Sequence, residues 1–386
     1  MQHNARIAAA IELLDAILAG APAERALTTW ARTHRFAGSG DRAAIRDLVF
    51  DALRRKRSYV WRGGGMTGRG LMLGALADDR SQLEAVFTGE GHAPPRLSTA
   101  EVAALRDLDD APRAVRLDCP DWLLLPFESA YSERAEAILS ALQDRAPVFL
   151  RVNRRKATRE TAETLLAEDG VACRPHPLAD MALEVTEHAR RVRTTRAYLD
   201  GVVELQDVAS QAVVDACLPF VEGTRALDYC AGGGGKALAL AAAGLQVTAH
   251  DAHPQRMSDL PARAKRAGTP IPTVTEVAGQ FDLVLCDAPC SGSGAWRRQP
   301  EGKWALTEAR LAELTALQDQ ILETAQKFVG PGGCLAYATC SLLPLENTAR
   351  VARFLQRNPA WHSLVTTQWT PLDGGDGFFL AVFRKS

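Results

Sequence analysis

The sequence predicts a multidomain protein: an all-α N-terminal part, a small α+β middle segment and a C-terminal α/β domain. Three observations carry this prediction. The chain has 386 residues, more than a single core accommodates. Up to residue 145 the composition is helical, rich in Ala, Leu and Arg, and from 147 onwards short β-type runs appear. Beyond 200, strand-like and helix-like runs alternate. The expected divisions are 1–75 for the helical domain, 76–145 for a helical linker region, 146–205 for the α+β subdomain and 206–386 for the α/β domain.

The elements follow in order. Ile7, Ile11, Leu14 and Leu18 recur at helical spacing, while Glu12 and Asp15 interrupt the apolar stretch. The N-terminus therefore reads as an amphipathic helix, not a signal peptide. Ser39 is a candidate N-cap for the helical run "SGDRAAIRDLVFDALRRKRS". "RGGGMTGRGLMLG" (62–74) predicts a turn between helices, and "GHAPPRLS" and "CPDWLLLPF" punctuate the helical pattern that follows. "PVFLRVN", "ALEVTE" and "GVVELQD" are short β-type runs, with the helical "TRETAETLLAEDG" after the first and a helix at 208–218 after the last. "RALDYC", "QVTAHD", "FDLVLCD" and "CLAYATC" then alternate with helices, the pattern of a parallel sheet with crossover helices. Ligands of such sheets collect at the carboxyl ends of the strands.

Composition narrows the function classes. Hydrophobic residues make up 47% and charged residues 24%, as in ordinary globular proteins, and there is no run of 18 apolar residues to span a membrane. The eight cysteines form no CxxC pair and no Cys/His cluster with zinc spacing, so no metal is expected. With no secretion signal, a reduced, cytoplasmic protein is expected. Net charge is −1, yet residues 1–75 carry 12 Lys/Arg against 6 Asp/Glu. The densest basic run, "RRKRSYVWRGGG" (54–65), reads first as a solvated helix end, with an RNA-facing patch as the alternative.

"LDYCAGGGGKALALAAAG" (227–244) is a strand, a glycine turn and a helix. Glycines let a ligand approach the backbone, and the helix start offers free N–H groups. Asp251 ends the next strand, where a carboxylate can accept from both ribose hydroxyls. Gly232, Gly234 and Ala237 satisfy G-x-G-x-x-A, so a nicotinamide dinucleotide is permitted; Lys236, outside that pattern, points instead to S-adenosylmethionine.

Two further thiols stand in polar loops after strands: Cys290 in "DAPCSGSG" and Cys340 in "ATCS". On a parallel sheet these loops and the glycine turn share one edge, so Cys290, Cys340, Asp287 and Lys236 could meet. Methylation at C5 of a pyrimidine needs such a set, because a thiolate must first add to C6 before C5 becomes nucleophilic. A carboxyl group at the base's N3/N4 edge stabilises the developing charge. Cys230, Cys286 and Cys334 read as small buried hydrophobes.

The sequence resembles the Sun/Fmu-type (RsmB-like, Nop2-related) RNA cytosine-5 methyltransferases. The resemblance rests on "DAPCSGSGAWRRQPEGKW" (287–304), "YATCSLLPLENTARV" (337–351) and "DGGDGFFLAVFRK" (373–385), with "FLRVNRRKAT" (149–158) and "GVVELQDVASQ" (201–211) before them. It covers about 240 residues; "DRAAIRDLVFDALRR" adds a weaker likeness to a NusB-like RNA-binding domain. The resemblance implies a Rossmann-like class I methyltransferase domain in which Cys340 attacks C6 and Cys290 assists product release. Asp287 would hold the cytosine, with Lys236 near the base. It implies a cofactor set of Cys230, Ala231, Gly232, Gly233, Gly234, Lys236, Asp251, Arg256 and Asp287 around S-adenosylmethionine. It also implies RNA, most of all 16S-type rRNA, as the partner of a monomeric enzyme, with tRNA as the nearest rival substrate. A non-catalytic RNA-binding assembly factor is the alternative from another class. Two departures stand out. The glycine loop is "CAGGGGKA" where the family has C-A-A-P-G-G-K-T, a more flexible turn that implies weaker cofactor binding. The family's adenine-side Asp before "FDLVL" is absent; Thr275 and Glu276 are the polar residues there.

Overall fold

The computed structural model describes residues 1–385. The chain divides into two compact units: Met1–Arg145 together with Trp296–Ala305, and Ala146–Ala295 together with the residues from Leu306 onwards. Among the described residues no helix is long and apolar enough to cross a membrane.

The first unit is helical, beginning α1 (His3–Leu18), α2 (Ala23–Thr33), α3 (Ser39–Arg54), α4 (Lys56–Gly63) and α5 (Gly68–Leu76). Its core joins Ile7, Leu14, Ile45, Val49, Leu71 and Leu73 from α1, α3 and α5. Ser39 is not the N-cap of α3. Gly38 holds that place, because the Asp41 carboxylate accepts the Gly38 N–H at 3.3 Å. The glycine-rich stretch is not simply a turn either, since Gly68–Leu76 is helical and only the residues between Gly63 and Gly68 connect α4 to α5. Its glycines bring two backbones together. A Cβ on Gly74 would lie 2.0 Å from the Tyr59 carbonyl oxygen, and one on Gly63 would lie 1.9 Å from that of Gly70.

The arginines of the basic run at 54–65 do not form a freely solvated helix end, because each is paired within this unit. Arg54 and Arg62 are buried. Arg55 pairs with Asp51 and Asp144, Arg57 with Asp121, and Arg62 with Asp78. The junction of α3 and α4 is sealed by residues distant in sequence. Asp118 accepts from the N–H groups of Arg57 (2.7 Å) and Ser58 (3.1 Å), capping the start of α4. The Lys303 ammonium donates to the Arg54 carbonyl (2.9 Å) and the Trp304 indole to that of Leu53 (2.7 Å), closing the end of α3. Burial pushes Lys303 down to about 8 and Asp118 up, each opposed by the other's charge.

The second unit holds two sheets. The smaller comprises β1 (Val148–Val152), β2 (Ala172–Pro175), β3 (Ala182–Glu187) and β4 (Val203–Leu205), antiparallel in the order β2-β3-β1-β4. The larger comprises β5 (Arg225–Asp228), β6 (Gln246–His250), β7 (Thr273–Val274), β8 (Phe281–Asp287), β9 (Val329–Thr339), β10 (Trp361–Trp369) and β11 (Phe378–Lys385). Its order is β10-β11-β9-β8-β5-β6-β7. It is mixed where the sequence predicts a parallel sheet: β5 to β9 run parallel, but β11 and β10 return antiparallel. The hairpin escaped prediction because "FFLAVF" is a continuous apolar run, which periodicity alone does not assign.

Both faces of this sheet are covered, so its central strands are apolar throughout. Ala226, Leu283, Leu285, Ala336 and Leu380 face the helices Val208–Cys217 and Gly235–Ala242. Leu227, Val284, Cys286, Leu335 and Phe379 face Glu308–Ala325 and Thr348–Arg357. Neighbouring residues thus serve opposite layers, as the two-residue strand period requires. Cys334 lies within β9 rather than at its end, fully buried.

Gly74→Ala is expected to lower the stability of the helical unit by at least about 2 kcal/mol, since backbone rather than a flexible side chain occupies the Cβ position. A fall in the urea midpoint at unchanged slope checks this.

Candidate active site

The order of the larger sheet reverses between β5 and β8, so the loops after these two strands open at a topological switch point. The loop after β5 is the glycine turn. Tyr229 N–H donates to the Leu285 carbonyl and Ala231 N–H to that of His250, both at 2.8 Å, tying the turn to both neighbouring strands. Gly232 and Gly234 take φ of 50° and 78°, and a Cβ on Gly234 would meet Leu260 Cδ1 at 2.2 Å. Gly235 begins the helix Gly235–Ala242, and its carbonyl accepts from the buried Arg151 of β1 at 2.8 Å, which joins the small sheet to the turn.

Asp251, just past β6, is buried and organises the turn: its oxygens accept the N–H groups of Gly232 and His253, each at 2.9 Å, and Arg256 stands 3.4 Å away. Arg263 donates to the Gly233 carbonyl. Cys230 and Ala231 lie in the same turn, where burial first and then the nearby carboxylates push the Cys230 thiol up. The structure thus brings Cys230, Ala231, Gly232, Gly233, Gly234, Asp251 and Arg256 into one cradle. Thr275 and Glu276 follow β7 at once, both exposed.

Lys236 is buried in the first turn of the helix. Its ammonium meets Asp287 Oδ2 at 2.6 Å and lies 4.7 Å over the Phe378 ring. This pair links the glycine turn to the end of β8. Three residues on, Cys290 Sγ lies 3.3 Å from Cys340 Sγ. The hydrogen bond to Cys340, reinforced by burial, pushes the Cys290 thiol well above its ordinary range. Cys290 therefore keeps its proton.

Two residues of this site went unrecognised in the sequence. Glu346 is fully buried and gathers the thiol loops: it accepts from Ser291 N–H (2.8 Å), Ser291 Oγ and Ser341 Oγ (2.5 Å each) and Gln318 Nε2 (3.1 Å). Its letters lie inside the quoted "LLPLENTARV", but no local pattern says that the carboxylate turns inward. Asp228 ends β5 fully buried, with both oxygens lacking a hydrogen-bond partner of ordinary geometry. Burial, then the Asp287 charge, pushes it up to about 7, with Lys236 opposing. An acidic residue closing a strand just before a glycine turn was the available signal.

The fold agrees with the comparisons. The model for "16S rRNA methyltransferase RsmB/F" matches residues 216–383, and that for an RsmF/B-like ferredoxin-like domain matches residues 119–192. Ribosomal RNA small subunit methyltransferase B of Citrobacter koseri is 35% identical over 334 residues, covering 81% of this chain and 76% of its own. Two solved structures share the fold. A methyltransferase homologue protein from Pyrococcus horikoshii has a TM-score of 0.62 at 23% identity, covering 71% of this chain and 97% of its own. NSun6 from Pyrococcus horikoshii with SFG has a TM-score of 0.60 at 17% identity, covering 69% and 98%.

Two predictions follow from the geometry. The folded protein keeps a proton on Asp228 that the unfolded chain releases near 3.8, so its contribution to stability is lost as pH rises towards about 7. Asp228→Asn should thus stabilise the ligand-free protein at pH 8, by up to about 4 kcal/mol, and change little at pH 4; melting curves at the two pH values check it. Glu346→Ala leaves four donors without their acceptor and should loosen both loops. Alkylation of Cys290 and Cys340 by iodoacetamide, followed by mass spectrometry, should then run several-fold faster.

Proposed function

The chain belongs to the RsmB/F family of 16S rRNA methyltransferases, and we propose that it transfers a methyl group from S-adenosylmethionine to C5 of a cytosine in small-subunit rRNA. The observation that carries the cytosine-C5 assignment is the pair of sulfurs 3.3 Å apart beside an Asp–Lys ion pair on one sheet edge. C5 chemistry on an unactivated pyrimidine needs one thiol to attack C6, and a second beside it can assist release of the adduct.

The residues present fit the cofactor. The glycine turn leaves its backbone open to close approach, and the orphaned Asp228 carboxylate asks for a donor, which the α-ammonium of S-adenosylmethionine supplies. Asp251 would accept from the ribose hydroxyls, with Gly232–Gly234 and Arg256 around it. When bound, S-adenosylmethionine supplies an electrophilic methyl group.

The protein's own residues act on the base. Cys340 Sγ, as thiolate, adds to C6 of the cytosine, and the electron pair released to C5 makes that carbon nucleophilic. Asp287, held by Lys236, hydrogen-bonds the N3/N4 edge and stabilises the charge that gathers there. After C5 is substituted, a general base takes the C5 proton, the C–H electron pair restores the C5–C6 double bond, and the C6–S bond breaks with its electrons leaving on Cys340 Sγ. Cys290, its sulfur 3.3 Å from that of Cys340, assists that release by donating its proton to the departing sulfur. Residues 1–75 serve as a NusB-like RNA-binding domain, 76–145 as a helical linker, 146–205 as an RNA-binding subdomain and 206–386 as the catalytic domain of a monomer.

The test is methyl transfer from labelled S-adenosylmethionine to unmethylated small-subunit rRNA and to bulk tRNA, with bisulfite mapping of the product. A single 5-methylcytosine in the rRNA is expected. A product in tRNA alone would reassign the substrate, and no transfer or cofactor binding at all would leave an RNA-binding assembly factor. Cys340→Ala should abolish transfer, whereas Cys290→Ala should accumulate a covalent protein–RNA adduct that survives denaturing gels. An adduct with Cys340→Ala instead would exchange the two roles.

A further inference from the structure

The arginines of the helical unit divide into two sets. Those of the basic run at 54–62 are consumed by internal carboxylates and carbonyls, as described above. Arg25, Arg32, Arg35 and Arg42, on and between α2 and α3, are exposed and have no ion-pair or hydrogen-bond partner among the described residues. The acidic groups on α2 and α3 are already engaged, whereas Glu12 of α1 lines a cavity together with Arg25. Asp41 pairs with the Met1 ammonium (3.1 Å) and Arg6 (2.7 Å), Glu24 with Arg46, and Asp47 with Arg145 at 3.0 Å. The positive charges of Arg32, Arg35 and Arg42 are therefore left uncompensated, which the near-zero net charge of the whole chain conceals.

This surface is shaped as well as charged. Arg32, Arg42 and Arg46 flank a groove of about 400 Å³ whose apolar lining includes Leu27, Trp30 and Ile45. At its end stands an aromatic ladder. The Trp30 and His34 rings stack at 4.4 Å with 10° between their planes, and Phe36 meets His34 edge-on at 5.8 Å. Phe36 is 73% exposed, the most exposed of the chain's large hydrophobic residues. The buried indole N–H of Trp30 has no acceptor.

We propose that the α2–α3 groove binds the backbone of the substrate RNA, with Arg32 and Arg42 on phosphates and Phe36 stacking an unpaired base. This rests on the RNA methyltransferase reading and assigns its RNA contact in the helical unit. Guanidinium forks match phosphate oxygens, and an exposed ring face beside free arginines suits a nucleobase, whose π-face takes any sequence. An acidic peptide would use the arginines but would leave the aromatic ladder without a role.

Full-length wild type and two variants, Arg32→Ala/Arg42→Ala and Phe36→Ala, are compared for binding to a small-subunit rRNA transcript across a salt series, and for methyl-transfer kinetics. The double variant should bind about tenfold more weakly, and its salt slope should fall by between about 1 and 2. KM for the RNA should rise by the same factor at unchanged kcat. Phe36→Ala should weaken binding about tenfold with the slope unchanged. A charge-retaining Arg32→Lys/Arg42→Lys control should keep the slope, and equal melting temperatures would exclude misfolding. If the variants match wild type in affinity and slope while wild type methylates the transcript, the groove assignment is overturned and the proposed function stands. If wild type neither binds nor methylates it, both fall. Unchanged RNA binding with lost binding of a poly-glutamate peptide would assign the groove to protein, also overturning the inference.

Discussion

The buried carboxylate of Glu346 is the constraint on which the thiol site depends. Cys290 and Cys340 sit in loops after different strands, and such loops do not ordinarily hold two sulfurs at 3.3 Å. Glu346 receives donors from both: the Ser291 N–H and hydroxyl on one side and the Ser341 hydroxyl on the other. Gln318 also binds both the Pro289 carbonyl and Glu346, so the layer helix Glu308–Ala325 enters the same knot. Hydrogen bonds to a carboxylate contribute roughly 1–3 kcal/mol each, which offsets part of the ordering of two short loops. Further bonds extend the knot: Gly294 N–H to the Cys340 carbonyl at 3.0 Å, and Gly377 N–H to the Gly294 carbonyl at 2.9 Å.

Beside this knot lies a charge balance that favours a ligand. Asp228, Asp251 and Asp287 converge on the carboxyl edge, with Lys236 as their buried cation. Lys236 is committed to Asp287, and Asp251 is committed to loop N–H groups. Asp228 is left to take up a proton or to await a positive partner. The altered glycine loop acts in the same place. Without the family's proline, the turn relies on Asp251 and Arg263 to hold its backbone. The sequence already contains the means to offset that loss of stiffness.

The segment that follows Cys290 shows how a single motif divides its labour. "DAPCSGSG" supplies the carboxylate and thiol, whereas "WRRQPEGKW" belongs to the helical unit. There Trp296 is buried near Phe127, and Lys303 and Trp304 close the end of α3. The Trp304 ring lies between the ammonium groups of Lys56 and Lys303, at 4.6 and 4.4 Å. A motif recognised for its chemistry is, over half its length, an architectural anchor.

By itself the sequence determined the features that depend on near neighbours. These are the glycine turn after an apolar strand, the Asp251 strand end, the two thiols in polar loops, the strands Val148–Val152, Ala182–Glu187 and Val203–Leu205, and the helices Arg159–Glu168 and Val208–Cys217. Dihedral freedom, strand period and turn chemistry act over a few residues, so local letters suffice for them. Only the tertiary structure decided which charges meet. Asp118 caps a helix 60 residues away, and Lys303 closes one 249 residues away. Glu346 spans the 55 residues to Ser291, and Asp228 finds no hydrogen-bond partner of ordinary geometry among the described residues. The basic run at 54–65 reads as a solvated helix end because sequence displays charge but not its compensation. An ion pair forms wherever folding brings its members within about 4 Å, and no pattern along the chain encodes that distance. The antiparallel β10–β11 hairpin escaped for a related reason. A strand buried on both faces carries no alternation, and only its pairing with β9 reveals its direction.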